Sequence, residues 1–350
     1  MVATIEIAGR RVGPGYPCFI IAEAGVNHNG DVTRAAALVD AAVEAQADAV
    51  KFQTFHAEEV ATPLAPKAGY QRLTTDAAES QLEMIRRLEL PPEAFRALQA
   101  CCARQKILFL STPFDHESVD LLDELSVPAF KVASGEITNW PLLEHIASKG
   151  KPVILSTGMS TLGEVEAAVR VIRGTGNDQL ALLHCVSNYP AEAADVNLRA
   201  MQTMATTFGV PVGYSDHTLG SEVALAAVAL GACIIEKHYT LDRTLPGPDH
   251  RASVEPAELV AFVRGIRRVE VALGHGRKEP AARELETAAA ARRSVVAARD
   301  ITSGTTLTET LMHIRRPGTG LPPALRAQLI GRRTKVEIPA GTPLTWEMVV

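Results

Sequence analysis

Between Pro17 and about Leu273, short apolar runs alternate with amphipathic stretches. The runs are CFIIAEA, DAVKFQT, ILFLST, AFKVAS, PVILST, LALLHC, VPVGYS and CIIEKHY. Each is rich in Val, Ile, Leu or Phe and nearly continuous, as parallel strands buried on both faces read. The stretches between them, such as DVTRAAALVDAAVEAQA and TLGEVEAAVRVIR, repeat apolar residues every three or four positions, as amphipathic helices do. About eight β-then-α units over roughly 250 residues are what a (β/α)8 TIM barrel requires. An open doubly wound sheet competes, but no G-x-G-x-x-G follows the first run, which weakens its dinucleotide-binding version. The opening TIEIAGRRVG reads as a small hairpin placed to plug the barrel bottom.

The pattern then changes. GHGRKEPAARELETAAAA is charged and Ala-rich, and reads as a partly helical linker. Beyond it, Ile301-Thr-Ser-Gly-Thr-Thr-Leu-Thr308 and Ile338-Pro-Ala-Gly-Thr-Pro-Leu-Thr345 share I-x-x-G-T-x-L-T. Each predicts strand, glycine turn, strand, and the pair predicts a pseudo-symmetric β module. The expected division is a barrel over 1–275, a linker over 276–293 and a small domain over 294–350. At about 57 residues the last buries little core alone and is expected to dock onto something.

Composition narrows the class. The chain is 47% hydrophobic with a formal net charge of -5, which argues for a globular α/β protein and against a general nucleic-acid binder. No apolar run is long enough to span a bilayer, and the N-terminus lacks the build of a signal peptide. A cytoplasmic protein with no membrane partner is expected. The five cysteines form no C-x-x-C pair and read as reduced thiols.

Active sites of such barrels lie at the C-terminal strand ends. There the runs place Glu23, Asn27 and His28; Lys51 and Gln53; Thr112; Lys131, Ser134 and Glu136; Ser156; His184, Ser187 and Tyr189; Ser215, Asp216 and His217; and Glu236, Lys237 and His238. A cap or satisfied loop hydrogen bond explains any one of them as well as catalysis does. Burying the whole set without a ligand would be costly, so a functional pocket is favoured. Lys51, Lys131, Thr112, Ser134, Ser156 and Ser215 suit a ligand carrying phosphate and carboxylate. A rim ion pair with Glu23, Glu136 or Glu236 is the plain alternative for each lysine. His217 and His238 end adjacent strands and together suit a divalent metal left open to substrate. Glu23, Asp216, Glu136 and Glu236 remain as further ligands or proton-transfer groups.

The motifs AEAGVNHNGD, VKFQT, STPFD, KVASGEITN, ILSTGMST, LLHCVSNYP, GYSDHTLG and EKHYTLDRTLPGPDH occur in this order, followed by HIRRPGTG. Over essentially the whole chain they resemble the sialic acid (nonulosonic acid) synthase family, whose C-terminal β-clip module is called SAF or antifreeze-like. The resemblance implies a transferase that condenses phosphoenolpyruvate with an open-chain 2-acetamido hexose to a nine-carbon 2-keto acid and phosphate. It implies a divalent cofactor, Mn2+ or Mg2+, on His217 and His238. Phosphoenolpyruvate would be held by Lys51, Thr112, Lys131, Ser134, Ser156 and Ser215. Glu23 and Glu136 would act at the reacting carbons, and Gln53, Ser187 and Tyr189 would meet the sugar. Arg316 would reach the sugar's acyl group in the partner's barrel, because the family forms domain-swapped homodimers.

One departure bears on substrate. Ser134-Gly-Glu-Ile-Thr-Asn139 and His184-Cys-Val-Ser-Asn-Tyr-Pro190 differ from the S-G-E-C-N-N and H-C-T-N-x-Y-P of N-acetylneuraminate synthases. The pattern is more similar to synthases of legionaminic acid, which take 2,4-diacetamido-2,4,6-trideoxy-mannose; the shorter Ser187 would make room for a 4-acetamido group. A metal-dependent aldolase or lyase, and a carbohydrate- or ice-binding module, are the competing readings.

Overall fold

The computed structural model describes residues 2–76 and 78–350. The chain divides into two compact units, Met1–Gly274 and His275–Val350. The first opens with an antiparallel hairpin, β1 (Ile5–Ile7) and β2 (Arg10–Val12). Eight strands follow: β3 (Phe19–Gly25), β4 (Ala49–Thr54), β5 (Leu108–Pro113), β6 (Phe130–Val132), β7 (Val153–Ser156), β8 (Leu180–Cys185), β9 (Val212–Asp216) and β10 (Ile234–His238). They form one parallel sheet in the order β5-β4-β3-β10-β9-β8-β7-β6. β5 and β6 come together at the seam, so the sheet curls into a nearly closed barrel. Each strand corresponds to one of the eight apolar runs.

Successive side chains of a strand face opposite ways, and that alternation builds the interior. On β10, Ile234 belongs to the inner cluster and Ile235 to the outer one beneath the helices. Glu236 and His238 then fall inside, while Lys237 falls outside, where it pairs with Asp216 at 2.7 Å. The same rule puts Phe19 and Ile21, Ala49, Leu110, Ile154, Ala181 and Leu183 in the inner cluster at the N-terminal half of the barrel. Ile5, Ile7 and Val12 of the hairpin pack onto that cluster, so the hairpin does plug the barrel bottom. Polar side chains are thereby confined to the opposite half.

The covering helices are locally encoded. Asp31 caps Val32–Glu44 by accepting from the backbone amides of Thr33 and Arg34, relieving two unpaired donors. Ala35, Leu38, Val39 and Ala42 make its buried stripe, and Leu38→Ala would cost about 2–5 kcal/mol. Among the described residues, no helix is long and apolar enough to cross a membrane.

The second unit begins with the helix Glu284–Ala291 and pairs β11 (Ser294–Ala297) with β12 (Met312–Arg315). The two I-x-x-G-T-x-L-T copies meet across it. Ile301 and Ile338 exchange both backbone hydrogen bonds, each 2.9 Å. Both turn glycines, Gly304 and Gly341, have φ near 80°, where a side chain would be strained. Leu307 and Leu344 enter the same core.

Candidate active site

The inner polar half of the barrel encloses a cavity of about 430 Å3. Glu23, Lys51, Gln53, Thr112, Lys131, Ser156, Ser215, His217 and His238 line it from the strand ends, and Ser134, Ser187 and Tyr189 from the loops beyond. The residues that the resemblance assigns therefore converge, with two exceptions, whereas Asn27, His28, His184 and Lys237 of the wider strand-end set do not line the cavity. Glu136 is absent from the wall; its carboxylate accepts from Asn139 Nδ2 at 2.8 Å. Arg316 lies exposed in the second unit. Asp216, considered as a spare ligand, is corrected: alternation turns it out of the barrel, where it binds Lys237 and Thr218.

Glu236 organises the cavity floor. Its carboxylate lies 3.7 Å from Lys51 Nζ and 3.6 Å from Lys131 Nζ. Lys51 Nζ also touches Glu23 Oε2 at 2.7 Å and donates to Thr112 Oγ1 at 2.8 Å. All four charged groups are buried, so their charges are unscreened by solvent. Burial pushes the Glu23 carboxyl up to about 7; the charge of Glu236 acts with it, and Lys51 and Lys131 do not undo the shift. Burial acts on Glu236 in the same sense, but Lys131, Lys51 and the Ser215 hydroxyl outweigh it and hold that carboxylate ionised. Lys131 is pushed down by burial. For Lys51 the two carboxylates outweigh burial and keep it protonated. When Glu23, the more readily protonated of the two carboxyls, is neutral, two ammonium groups face one ionised carboxylate, an excess of positive charge that suits an anion.

The histidines form the other half of the site. The ring centres of His217 and His238 are 5.4 Å apart, with Tyr189 4.2 Å from the first and 5.6 Å from the second. Burial lowers the pKa of both, so both are neutral at pH 7. His217 Nδ1 lies 2.7 Å from the Val186 carbonyl, which can only accept. The ring proton therefore sits on Nδ1, and Nε2 carries a lone pair into the cavity. The Ser215 hydroxyl near it gives its proton to Glu236 instead. His238 Nδ1 is buried without a hydrogen-bond partner, its closest carboxylate being Asp249 at 3.9 Å. Two neutral imidazoles with unspent lone pairs fit a divalent metal. Among the described residues no cluster of three or more His, Cys, Asp or Glu ligands forms.

From the sequence Glu236 is a spare ligand or proton-transfer group, or an ion-pair partner of a lysine; the ion pairs with Lys51 and Lys131 form, and its central place between them is new. Glu236-Lys-His238 did carry the signal, since two residues apart on a strand share a face. Tyr70, Gln71 and Gln81 also line the cavity and were not anticipated. They arrive from short helices in the long segment after β4, where no strand end announces them.

Comparison with known proteins agrees with this geometry. Residues 38–278 match the NeuB family and residues 292–350 the SAF domain. The chain is 48% identical to the N,N'-diacetyllegionaminic acid synthase of Legionella pneumophila over 96% of each chain. It is 36% identical to the human N-acetylneuraminate-9-phosphate synthase, covering 97% of this chain and 95% of that one. The crystal structure of an N-acetylneuraminic acid synthetase from Leptospira borgpetersenii superposes with a TM-score of 0.72 at 40% identity, covering 82% of this chain and 95% of that one.

Proposed function

Because the chain belongs to the NeuB family, we propose that its barrel joins phosphoenolpyruvate to the open-chain aldehyde of a 2-acetamido hexose, yielding a nine-carbon 2-keto acid of the sialic acid type and inorganic phosphate. The observation that carries this is the pairing, in one cavity, of two lysines around a single ionised carboxylate with two neutral histidines.

Lys51 and Lys131, with the hydroxyls of Thr112, Ser134, Ser156 and Ser215, hold the phosphate and carboxylate of phosphoenolpyruvate by charge-assisted bonds. His217 and His238 would hold Mn2+ or Mg2+, which when bound supplies Lewis-acid polarisation of the aldehyde oxygen. Carbon 3 of phosphoenolpyruvate attacks the aldehyde carbon, and the aldehyde oxygen takes up a proton. The cation left at carbon 2 is stabilised by the fixed negative charge of Glu236. Water adds at carbon 2 and loses a proton. The tetrahedral carbon then expels phosphate by carbon–oxygen cleavage, leaving the keto group. Glu23, whose pKa is raised toward neutrality, is the carboxyl best able to move a proton here. Glu136, turned toward Asn139, is left out of these steps.

Gln53, Ser187 and Tyr189 contact the sugar, and Arg316 joins them from the second unit of a partner chain in a domain-swapped homodimer. The diacetamido trideoxy sugar is preferred over N-acetylmannosamine, supported by Ser187 and by the 48% identity to a diacetyllegionaminic acid synthase. Five unpaired cysteines accord with a reducing, cytoplasmic setting.

The test incubates purified protein with Mn2+, phosphoenolpyruvate and each sugar and measures phosphate. Phosphate and a nine-carbon product by mass are expected; no release with either sugar sinks the reading. Borohydride trapping of substrate on Lys131, whose lowered pKa would suit a Schiff base, would favour an aldolase instead.

A further inference from the structure

A second pocket of about 250 Å3 opens off the cavity just described. The two share Gln53, Tyr70, Gln71, Gln81, Tyr189 and His238, together with Phe114, as a common and mostly polar wall. Beyond that wall the chemistry changes. Val26, Phe55, Val60, Met84, Ile85 and Leu88 line the second pocket alone. Four of them, Val26, Phe55, Met84 and Leu88, form a buried cluster separate from the barrel's inner and outer cores, with Phe114 packed against it. Among the described residues lining only this pocket, Asp249 is the one polar side chain.

The segment after β4 supplies most of these residues, and it is fastened in place. Lys67, itself buried, donates to Thr75 Oγ1 at 3.0 Å and to the Asp76 carbonyl at 2.7 Å, and pairs with Glu79 at 2.9 Å. Spending a buried ammonium to close this segment argues that the apolar wall is held, not incidental. Asp249 and the shared wall can still partner a hydroxyl, but against the Val26, Met84 and Leu88 face a hydroxyl would lose its water and gain no partner, so that face favours a ligand group without oxygen.

We infer that this pocket selects the sugar by receiving one of its methyl groups, either the deoxygenated carbon 6 or the methyl of the 4-acyl group. The inference rests on the synthase reading above and names the discriminating feature of its second substrate. Val26, Met84 and Leu88 are specificity-determining residues. They act on which sugar enters and leave the phosphoenolpyruvate end untouched.

The experiment measures kcat/KM by phosphate release with Mn2+ and phosphoenolpyruvate for two pairs of sugars. The first pair is the 6-deoxy and 6-hydroxy forms of 2,4-diacetamido-mannose; the second is the 4-N-acetyl and 4-N-glycolyl forms of the 6-deoxy sugar. One pair should show a preference of roughly 10- to 100-fold for the member lacking the oxygen. Which pair shows it identifies the methyl. Val26→Thr, nearly isosteric, and Met84→Gln should shrink that ratio toward one with the KM for phosphoenolpyruvate unchanged. Thermal midpoints check folding, and Val26→Thr alone decides if Met84→Gln does not fold. Equal values within both pairs, or a ratio that survives the variants, overturns the inference while phosphate release upholds the synthase. No phosphate from any of these sugars overturns both.

Discussion

Ser215 and Glu236 are register partners on adjoining strands, and the Ser215 hydroxyl donates to Glu236 Oε1 at 2.9 Å. The bond fixes the carboxylate between Lys51 and Lys131 and leaves His217 Nε2 without a competing donor. Glu236→Gln should therefore do more than remove a charge. Lys131 would lose its carboxylate partner, and an unpaired buried charge costs about 3–5 kcal/mol. Phosphoenolpyruvate, which brings its own negative charge, should restore part of that loss. Thermal unfolding with and without phosphoenolpyruvate checks this. A larger ligand-induced rise in the variant than in the wild type is expected, together with a fall in activity of at least ~100-fold.

His238→Ala removes one of the two neutral imidazoles with an unspent nitrogen. Loss of activity is expected along with loss of the calorimetric binding signal for Mn2+. An active variant, or one that binds Mn2+ as before, refutes the histidine pair as the metal site. Binding is measured without substrate, so the result does not depend on turnover.

What could be read in the sequence follows from what alternation and strand ends encode. Eight apolar runs carried the barrel because strands covered on both faces leave a continuous apolar signature. Lys51, Lys131, His217 and His238 were legible because each lies within or just beyond one of the eight apolar runs, where a polar side chain stands out. Facing was harder: Asp216 sits between Ser215 and His217, and only the strand's actual phase shows that it points out toward Lys237. Tyr70 and Gln71 were not legible, since a short helix some twenty residues beyond β4 acquires its place only through tertiary packing such as the Tyr70–Tyr189 ring contact at 5.1 Å. The hairpin's role as a plug comes from two isoleucines and a valine packing onto the inner apolar cluster of the strands.

Stability should fall on acidification through His28. Its Nδ1 accepts from the Gly30 amide at 3.0 Å, which requires an unprotonated nitrogen, and burial followed by the charge of Arg34 lowers its pKa to about 4 from an ordinary 6.5. The native state thus binds this proton less readily than the unfolded chain. The stabilisation is complete above pH 6.5 and is lost as pH falls toward 4, by on the order of 3 kcal/mol. Raised carboxyls such as Glu23 and Asp249 act in the opposite sense, so the readout is a difference. Denaturant unfolding of wild type and His28→Gln at several pH values should show a smaller loss in the variant between 6.5 and 4. Parallel curves would exclude the assignment.

Gly158 is a packing requirement of the same cavity. A Cβ there would stand 2.3 Å from Ser187 Oγ and 2.9 Å from both Cys185 Sγ and Ser134 Oγ. Gly158→Ala must push these groups apart, at about 1–3 kcal/mol, and displace two residues assigned to the substrates. The expected kinetic signature is a raised KM for both substrates, read by varying each in turn; an unchanged enzyme would show that Ser134 and Ser187 are free to move.

Arg316 gives the sharpest test of assembly. It is exposed in its own unit, whose β module buries a core without it, while among the described residues lining the barrel's cavity, which include Gln53, Ser187 and Tyr189, none is an arginine. If the guanidinium completes a partner's cavity, Arg316→Ala should raise the apparent KM for the sugar by roughly ten- to a hundredfold, the loss of a charge-assisted bond. The KM for phosphoenolpyruvate should stay within about twofold of wild type, because its proposed contacts, Lys51 and Lys131, do not involve Arg316. Inactive His238→Ala chains retain Arg316, and Arg316→Ala chains retain both histidines. Co-refolded dimers of the two carry one intact site when the arginine acts across the dimer, and none when it acts within its own chain. Recovery of up to half the wild-type rate per heterodimer is therefore the expected result, and a mixture no more active than the sum of its parents places Arg316 in its own barrel or away from the reaction altogether.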